Sequence, residues 1–345
     1  MATGIGAGGH SSLAHHGAAA YEFESSGTTP TPSTVDKPLS RRALLRTAAA
    51  GIAALGIPFP RPAAGAPDTD EARLDEWLRA LEGHIASGDR IAPGRLAARV
   101  GELAIGTPYE AATLEAYIRR GGSPTATEPL TLSLTRFDCV SLVEASIAVA
   151  RVAESTAAGR TSSEHPWQQF AREIERMRYR AGMRAAYSSR LHYFSEWMSD
   201  GARRGLLREL GAELGGAEDA RPLRFMTGHR SSYAALADDQ VFRDIGDMER
   251  GLDNSPRRVI ATAQIPAIAD GIETGDVLGF ATSIPGLDVS HAAFAYRGPD
   301  RVLRVLHAPL SGGAVEITRS TLHEYVSAIR RGTGILVARP RARRN

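Results

Sequence analysis

The apolar residues of this chain change their spacing part-way along, and that change constrains the fold more than any other feature. From about Asp70 they recur every three or four positions: "EARLDEWLRALEGHI" sets Leu74, Trp77, Leu78 and Leu81 on one side of a helix. "PGRLAARVGELAI" predicts a second helix, with Pro93 near its start and Gly106 beyond its end. "EPLTLSLTRFDC" reads as short extended structure leading to Asp138, a helix-capping residue type, after which Val140, Val143, Ile147 and Ala150 share one helical face. Residues 166–180 and 190–204 read as two more amphipathic helices. Later the pattern shortens. "GDVLGFATSI", "HAAFAYRG", "RVLRVLHAPL" and "AVEITRS" are brief apolar runs divided by Gly, Pro and Asp, as in an antiparallel meander. "STLHEYVSAIRR" predicts a helix capped by Ser320, and "GILVARP" a last strand. Helices first and strands later predict an α+β fold with the early helices packed on the later sheet. Between Leu210 and Asp270 the pattern assigns no element.

A chain of 345 residues with 43% apolar content can bury a sizeable core in one or two domains. Its first part does not look like that core. Residues 1–38, rich in Gly, Ser, Thr and Pro, are expected to be a disordered leader. Residues 39–66 resemble a twin-arginine signal peptide: Arg41 and Arg42 precede a weakly apolar run, Ala43 to Ile57, and then small residues with Ala64 and Ala66 suited to cleavage. The apolar run falls short of the about 20 residues a membrane span needs. The expected partner is therefore the twin-arginine export machinery, the expected location periplasmic or extracellular, and no stable membrane span is expected. The rest, 67–345, reads as a single catalytic domain with a helical insertion near 157–210.

That remainder carries 36 basic and 36 acidic residues. A neutral balance without a basic face argues against nucleic-acid binding, and the short tail Arg339, Arg341, Arg343, Arg344 is expected to be a solvated end.

Cys139 is the only cysteine, so it forms no internal disulfide; it fills a core, holds a metal or attacks a bond. A thiol in the first turn of a helix faces unpaired amides, which favour the thiolate and can bind an oxyanion. Such a nucleophile needs a base. Of ten histidines, His10, His15 and His16 lie in the leader; His84, His165 and His323 fall in polar or helical surroundings that suit surface roles. His229 lies in the unassigned middle. His192 sits beside two aromatics and is expected to face a cleft or solvent. His291 opens one apolar strand and His307 interrupts another, and an imidazole in such a strand must find a hydrogen-bond partner. Together they form a nucleophile, base and orienting group: Cys139 attacks, His291 takes its proton, and His307 bonds the far nitrogen of His291.

"GTPY", "FDCVSLVEA", "HYFSEW", "FMTGHRSSY", "GDVLGF", "GLDVSHAAFAY" and "VLHAPL", in this order, resemble the DUF1460 group of NlpC/P60-type cysteine peptidases from about Asp70 to Pro340. The resemblance implies a papain-like core, a triad of Cys139, His291 and His307, and N-acetylmuramoyl-L-alanine amidase activity on peptidoglycan fragments, with no cofactor. It also implies that the Tyr109 hydroxyl faces the nucleophile, where it could bond the oxyanion or substrate. Asp138 and Ser290, which flank the catalytic positions, are candidates for binding the peptide; plain caps would look the same. Tyr193 and Trp197, four apart on one helix, form either a stacking wall for a sugar or part of the core.

Three rivals remain. Cys139, His291 and His307 could hold zinc with a bound water, although their spacing lacks a zinc-peptidase motif. The same polymer has a second candidate bond, the D-glutamyl to diamino-acid linkage cut by NlpC/P60 endopeptidases. A peptidoglycan-binding module without activity would not require all three residues.

Overall fold

The structure is a computed structural model describing residues 69–85, 91–157, 164–309 and 313–342. The expected leader, the expected signal peptide, and Arg343 and Arg344 of the tail lie outside the described residues. Among the described residues no helix is long and apolar enough to cross a membrane.

Helix α1 (Asp70–Ile85) buries Leu74, Trp77 and Leu81, as the spacing predicts. Helix α2 (Pro93–Leu103) begins at Pro93, whose fixed φ suits a first turn, and Gly106 (φ 84°) reverses the chain beyond its end. Helix α3 (Cys139–Ala157) is the centre of the helical layer. It buries residues on every side, from Leu142 to Ser155, as a helix enclosed by others must. Helices α4 (Pro166–Arg178) and α5 (Phe194–Arg203) follow. Two buried ion pairs tie α3 to α4: Glu144 with Arg178 at 2.7 Å and Arg151 with Glu173 at 3.3 Å.

The unassigned middle contains structure after all. Just before it lies the short strand β1 (Leu207–Glu209); strand β2 (Ala217–Asp219), helix α6 (Asp239–Gly251) and strand β3 (Arg257–Ala261) occupy it. Strands of three residues and polar helix faces leave no periodic apolar signature long enough to read. Then come β4 (Val277–Thr282), β5 (Val289–Arg297), β6 (Leu303–His307), β7 (Glu316–Ile317), α7 (Leu322–Ala328) and β8 (Gly332–Pro340). The cap of α7 is Thr321 rather than Ser320. Its hydroxyl accepts from the Glu324 amide at 3.2 Å while the Glu324 carboxylate accepts from the Thr321 amide at 2.8 Å, a reciprocal box that Ser320 lacks the spacing to make.

β4 to β7 form the expected antiparallel meander, and β8 returns to the middle, giving the order β2-β3-β8-β4-β5-β6-β7 with β1 also pairing β8. Val277, Ala281, Ala292, Phe294, Leu306, Leu336 and Ala338 share one core with α1 to α5. Their alternating neighbours Leu278, Phe280, Ala293, Ala295, Val305, Ile335 and Val337 join a second core with Leu322 and Val326 of α7. The architecture is α+β, with helices on an antiparallel sheet. Arg339 is no solvated tail: it belongs to β8 and bonds Asp276 at 2.7 Å and Glu273 at 2.6 Å.

Candidate active site

The segment carrying Cys139 is held from three directions. Asp70, at the start of α1, accepts hydrogen bonds from the amides of Leu134 (2.6 Å) and Thr135 (2.9 Å) and from the hydroxyls of Thr135 (2.9 Å) and Ser133 (3.2 Å). Arg73, one turn along, donates to the Leu134 carbonyl at 3.0 Å and the Thr107 hydroxyl at 3.2 Å. The "GTPY" turn then pairs with the chain just before the cysteine: Phe137 donates to the Pro108 carbonyl at 3.0 Å and Glu110 to the Phe137 carbonyl at 2.9 Å. The expected extended segment before Asp138 is thus an irregular, side-chain-bonded approach, not a strand of the sheet. Asp138 caps α3, its carboxylate accepting from the Ser141 amide at 2.7 Å while its own amide donates to the Ser141 hydroxyl at 2.8 Å. Cys139 is the first helical residue.

On the sheet side, the Ala292 amide of β5 lies close enough to the Cys139 sulfur to pull its pKa down, which puts the thiol near His291, the preceding residue of β5. Nε2 of His291 lies 2.8 Å from Nδ1 of His307, with the rings edge to face. A β-bulge helps to aim His291. Phe280 pairs with His291 but Ala281 pairs with Val289, so Ser290 is an extra residue with no partner across β4. The His291 ring stacks on Phe280 at 5.6 Å. Because Nε2 is engaged by His307, Nδ1 is the nitrogen of His291 outside that contact.

Sequence reasoning missed Tyr325. It projects from α7 with its hydroxyl 3.3 Å from Nδ1 of His307 and its ring edge-on to the same imidazole. The Cys139 charge is among the causes that raise its pKa, after burial, so the hydroxyl lies near the thiol as well. In the sequence it is only an aromatic flanking the apolar stripe of a short helix; nothing marks it as a neighbour of His307.

The electrostatics depart from the simple helix-start expectation. Burial pushes the Cys139 thiol up to about 12, and the Asp138 carboxylate adds to this; the amides of Ala292, Val140 and Cys139 itself pull the other way without prevailing. Burial, and then the proximity of His307, holds His291 well below the ordinary imidazole value. Both shifts favour the neutral forms, a thiol and an uncharged imidazole. Burial first, then the charges of Cys139 and Asp138, raise the pKa of Tyr109, so its hydroxyl lies near the thiol and stays protonated as a donor.

Two expected substrate contacts are not available. Tyr193 is 1% exposed and donates to Glu249 at 2.6 Å, and Trp197 is 3% exposed and stacked on Phe194. Both rings are core: Tyr193 is the extended residue before α5, and Trp197 lies on the face of α5 turned into the protein. His192 is half-buried; burial depresses its pKa, and its Nε2 bonds the Tyr187 carbonyl at 2.9 Å. Asp138 serves as a cap, and Ser290 forms the bulge with its hydroxyl 3.4 Å from the Phe280 carbonyl. Asp288, also unforeseen, accepts from the Ser195 amide at 2.7 Å and so fixes the start of α5 to the entry of β5. Among the described residues no group of three or more His, Cys, Asp or Glu side chains is arranged to hold a metal ion.

The model of the AmiA-like family, described as N-acetylmuramoyl-L-alanine amidase-like, matches residues 99–335. The chain belongs to this family. The match takes in Tyr109, Cys139, His291, His307 and Tyr325. A crystal structure of an N-acetylmuramoyl-L-alanine amidase from Bacteroides uniformis is similar to this AmiA-like chain at 27% identity and TM-score 0.62, covering 72% of this chain and 99% of that one. A Bacteroides fragilis structure described as a candidate xylanase aligns at 28% identity and TM-score 0.59, covering 70% and 99%. A Legionella pneumophila protein of the DUF1460 family shares the fold at 17% identity and TM-score 0.52, covering 79% and 99%. No curated protein matches the chain.

Proposed function

We propose that this AmiA-like protein is a cysteine-dependent N-acetylmuramoyl-L-alanine amidase with a papain-like, NlpC/P60-type site, exported through the twin-arginine route to act on peptidoglycan fragments. The observation that carries the mechanism is the 2.8 Å His291–His307 bond on strands beside a helix-start thiol. Such an imidazole has one nitrogen oriented by its neighbour and the other free to act as a base.

The Cys139 sulfur attacks the lactyl carbonyl of the muramoyl group as its proton passes to Nδ1 of His291. The resulting oxyanion is held by the Cys139 amide and the Tyr109 hydroxyl. Collapse breaks the C–N bond, and His291 returns its proton to the departing amine of L-alanine. Water, deprotonated by the same imidazole, then releases the acyl group from sulfur. A glycosidase reading would require two carboxylates flanking a cleft; here the Asp138 carboxylate is engaged in capping α3 and Glu316 lies behind His307, so the groups next to the thiol are imidazoles and hydroxyls.

The test is product mass from N-acetylmuramoyl-L-alanyl-D-isoglutamine and from a longer muramoyl tetrapeptide. The amidase releases free N-acetylmuramic acid and intact peptide, and Cys139→Ala abolishes this release. Cleavage after the D-glutamyl residue would overturn the bond assignment, and turnover persisting in Cys139→Ala would overturn the covalent mechanism.

A further inference from the structure

His307 is fully buried, and its Nε2 has no hydrogen-bond partner among the described residues. The group nearest in charge is the carboxylate of Glu316, whose Oε1 lies 3.7 Å away on β7, directly across the ladder from His307. We propose that Glu316 is a positioning residue for the amidase, selecting the tautomer of His307 and, through it, of His291. This rests on the Cys139/His291 mechanism above.

Two tautomeric arrangements satisfy the 2.8 Å contact between the imidazoles. In one, His291 donates through Nε2–H to Nδ1 of His307, and His307 keeps its own proton on Nε2, facing Glu316. In the other, His307 donates from Nδ1 and turns a lone pair at Nε2 toward the carboxylate. The second arrangement opposes a lone pair to an anion in a buried setting, whereas the first aligns an N–H with it. Only the first leaves a lone pair on Nδ1 of His291, the form able to take the Cys139 proton. The same carboxylate stabilises the positive charge that His291 acquires and shares with His307 during attack. The other groups facing His307 are the Tyr325 hydroxyl from α7 and the neighbouring imidazole on β5; neither is an anion at neutral pH. Glu316 is therefore the anionic partner of the pair, and being about half exposed (53%) it exerts a partly screened field.

The experiment compares wild type, Glu316→Gln, Glu316→Asp and His291→Ala across about pH 4.5 to 9 by two readouts. One is hydrolysis of N-acetylmuramoyl-L-alanyl-D-isoglutamine; the other is the rate of iodoacetamide alkylation of Cys139, which needs no amide substrate. Removing the negative charge lowers the imidazole pKa, so the acid limb of Glu316→Gln moves down by about half a pH unit in both readouts. Its plateau kcat falls about tenfold with KM unchanged, because the wrong tautomer competes and the imidazolium is less stabilised. Glu316→Asp, which keeps the charge, recovers part of both effects. Profiles of Glu316→Gln that overlay the wild type in limb and plateau would overturn the proposal. So would a His291→Ala variant that alkylates like wild type, since the base itself would then be misassigned. If alkylation shifts as expected while the muramoyl peptide stays uncut, the role of Glu316 stands and the substrate assignment fails.

Discussion

Nε2 of His291 and Nδ1 of His307 face each other at 2.8 Å across adjacent strands, which leaves Nδ1 of His291 as the nitrogen the proposed mechanism uses as base. Removing His307 lets the His291 ring rotate and change tautomer without removing the base. His307→Ala is expected to lower kcat on a muramoyl peptide about a hundredfold or more with little change in KM, measured by steady-state kinetics. His307→Gln, which supplies an acceptor in place of Nδ1, retains more activity than the alanine variant.

Tyr109 stabilises the oxyanion in the proposed mechanism but takes no part in activating the thiol. Tyr109→Phe should therefore lower kcat by about ten- to a hundredfold, while iodoacetamide modifies Cys139 at the wild-type rate. Loss of both in parallel would show instead that the hydroxyl shapes the nucleophile.

Asp70 gathers four donors from the approach to Cys139, linking α1 to a loop more than sixty residues later. Asp70→Ala leaves the Leu134 amide without its acceptor and the Thr135 amide with only the Ser133 hydroxyl. A stability loss of about 2–3 kcal/mol is expected in urea denaturation, together with reduced activity because the cysteine loop loosens.

Glu144 and Arg178 are both buried and paired at 2.7 Å in the interior of the helical layer. Arg178→Met strands the carboxylate and should cost about 3–5 kcal/mol, read from the shift in the denaturation midpoint. Adding Glu144→Gln should recover much of that loss, since the buried charge is then gone.

His192 and His291 have pKa values depressed by burial, so in the folded protein they stay neutral after their unfolded counterparts have protonated. Below the unfolded imidazole value of about 6.5 the unfolded chain binds more protons, and stability falls as pH falls. Their contribution is complete above that value. His192→Asn, away from the active site, should reduce the drop in unfolding free energy between about pH 7 and 5.5; the comparison with wild type isolates this group from buried carboxylates titrating in the opposite sense. An identical drop in both proteins would contradict the buried neutral state.

The helices with strong apolar stripes and the strands of the meander were legible because each buries one face or a continuous run, and Leu74, Trp77 and Leu81 or Val277 to Thr282 record that burial in their spacing. β1, β2, α6 and β3 were not legible. Their strands are too short for a period, and α6 shares its core with scattered aromatics such as Tyr187 and Phe225 that no local pattern connects. Tyr193 and Trp197 show the limit in the other direction: their spacing suggested one helical face, whereas Tyr193 precedes α5 in extended conformation, and spacing did not tell whether the two rings met solvent or protein.

By itself, the sequence determined the helix-then-sheet order, the lone thiol at a capped helix start, and two histidines in apolar strands, because capping, periodicity and the cost of burying an imidazole are local. Tertiary structure alone decided what surrounds them. The bulge at Ser290, the approach of Tyr325 and Glu316 to His307, the anchoring of the cysteine loop by Asp70, and the thiol pKa of about 12 arise from residues that meet only when the sheet closes over α3. Burial there outweighs the helix-start amides and raises the thiol pKa, and no local stretch of sequence contains that balance.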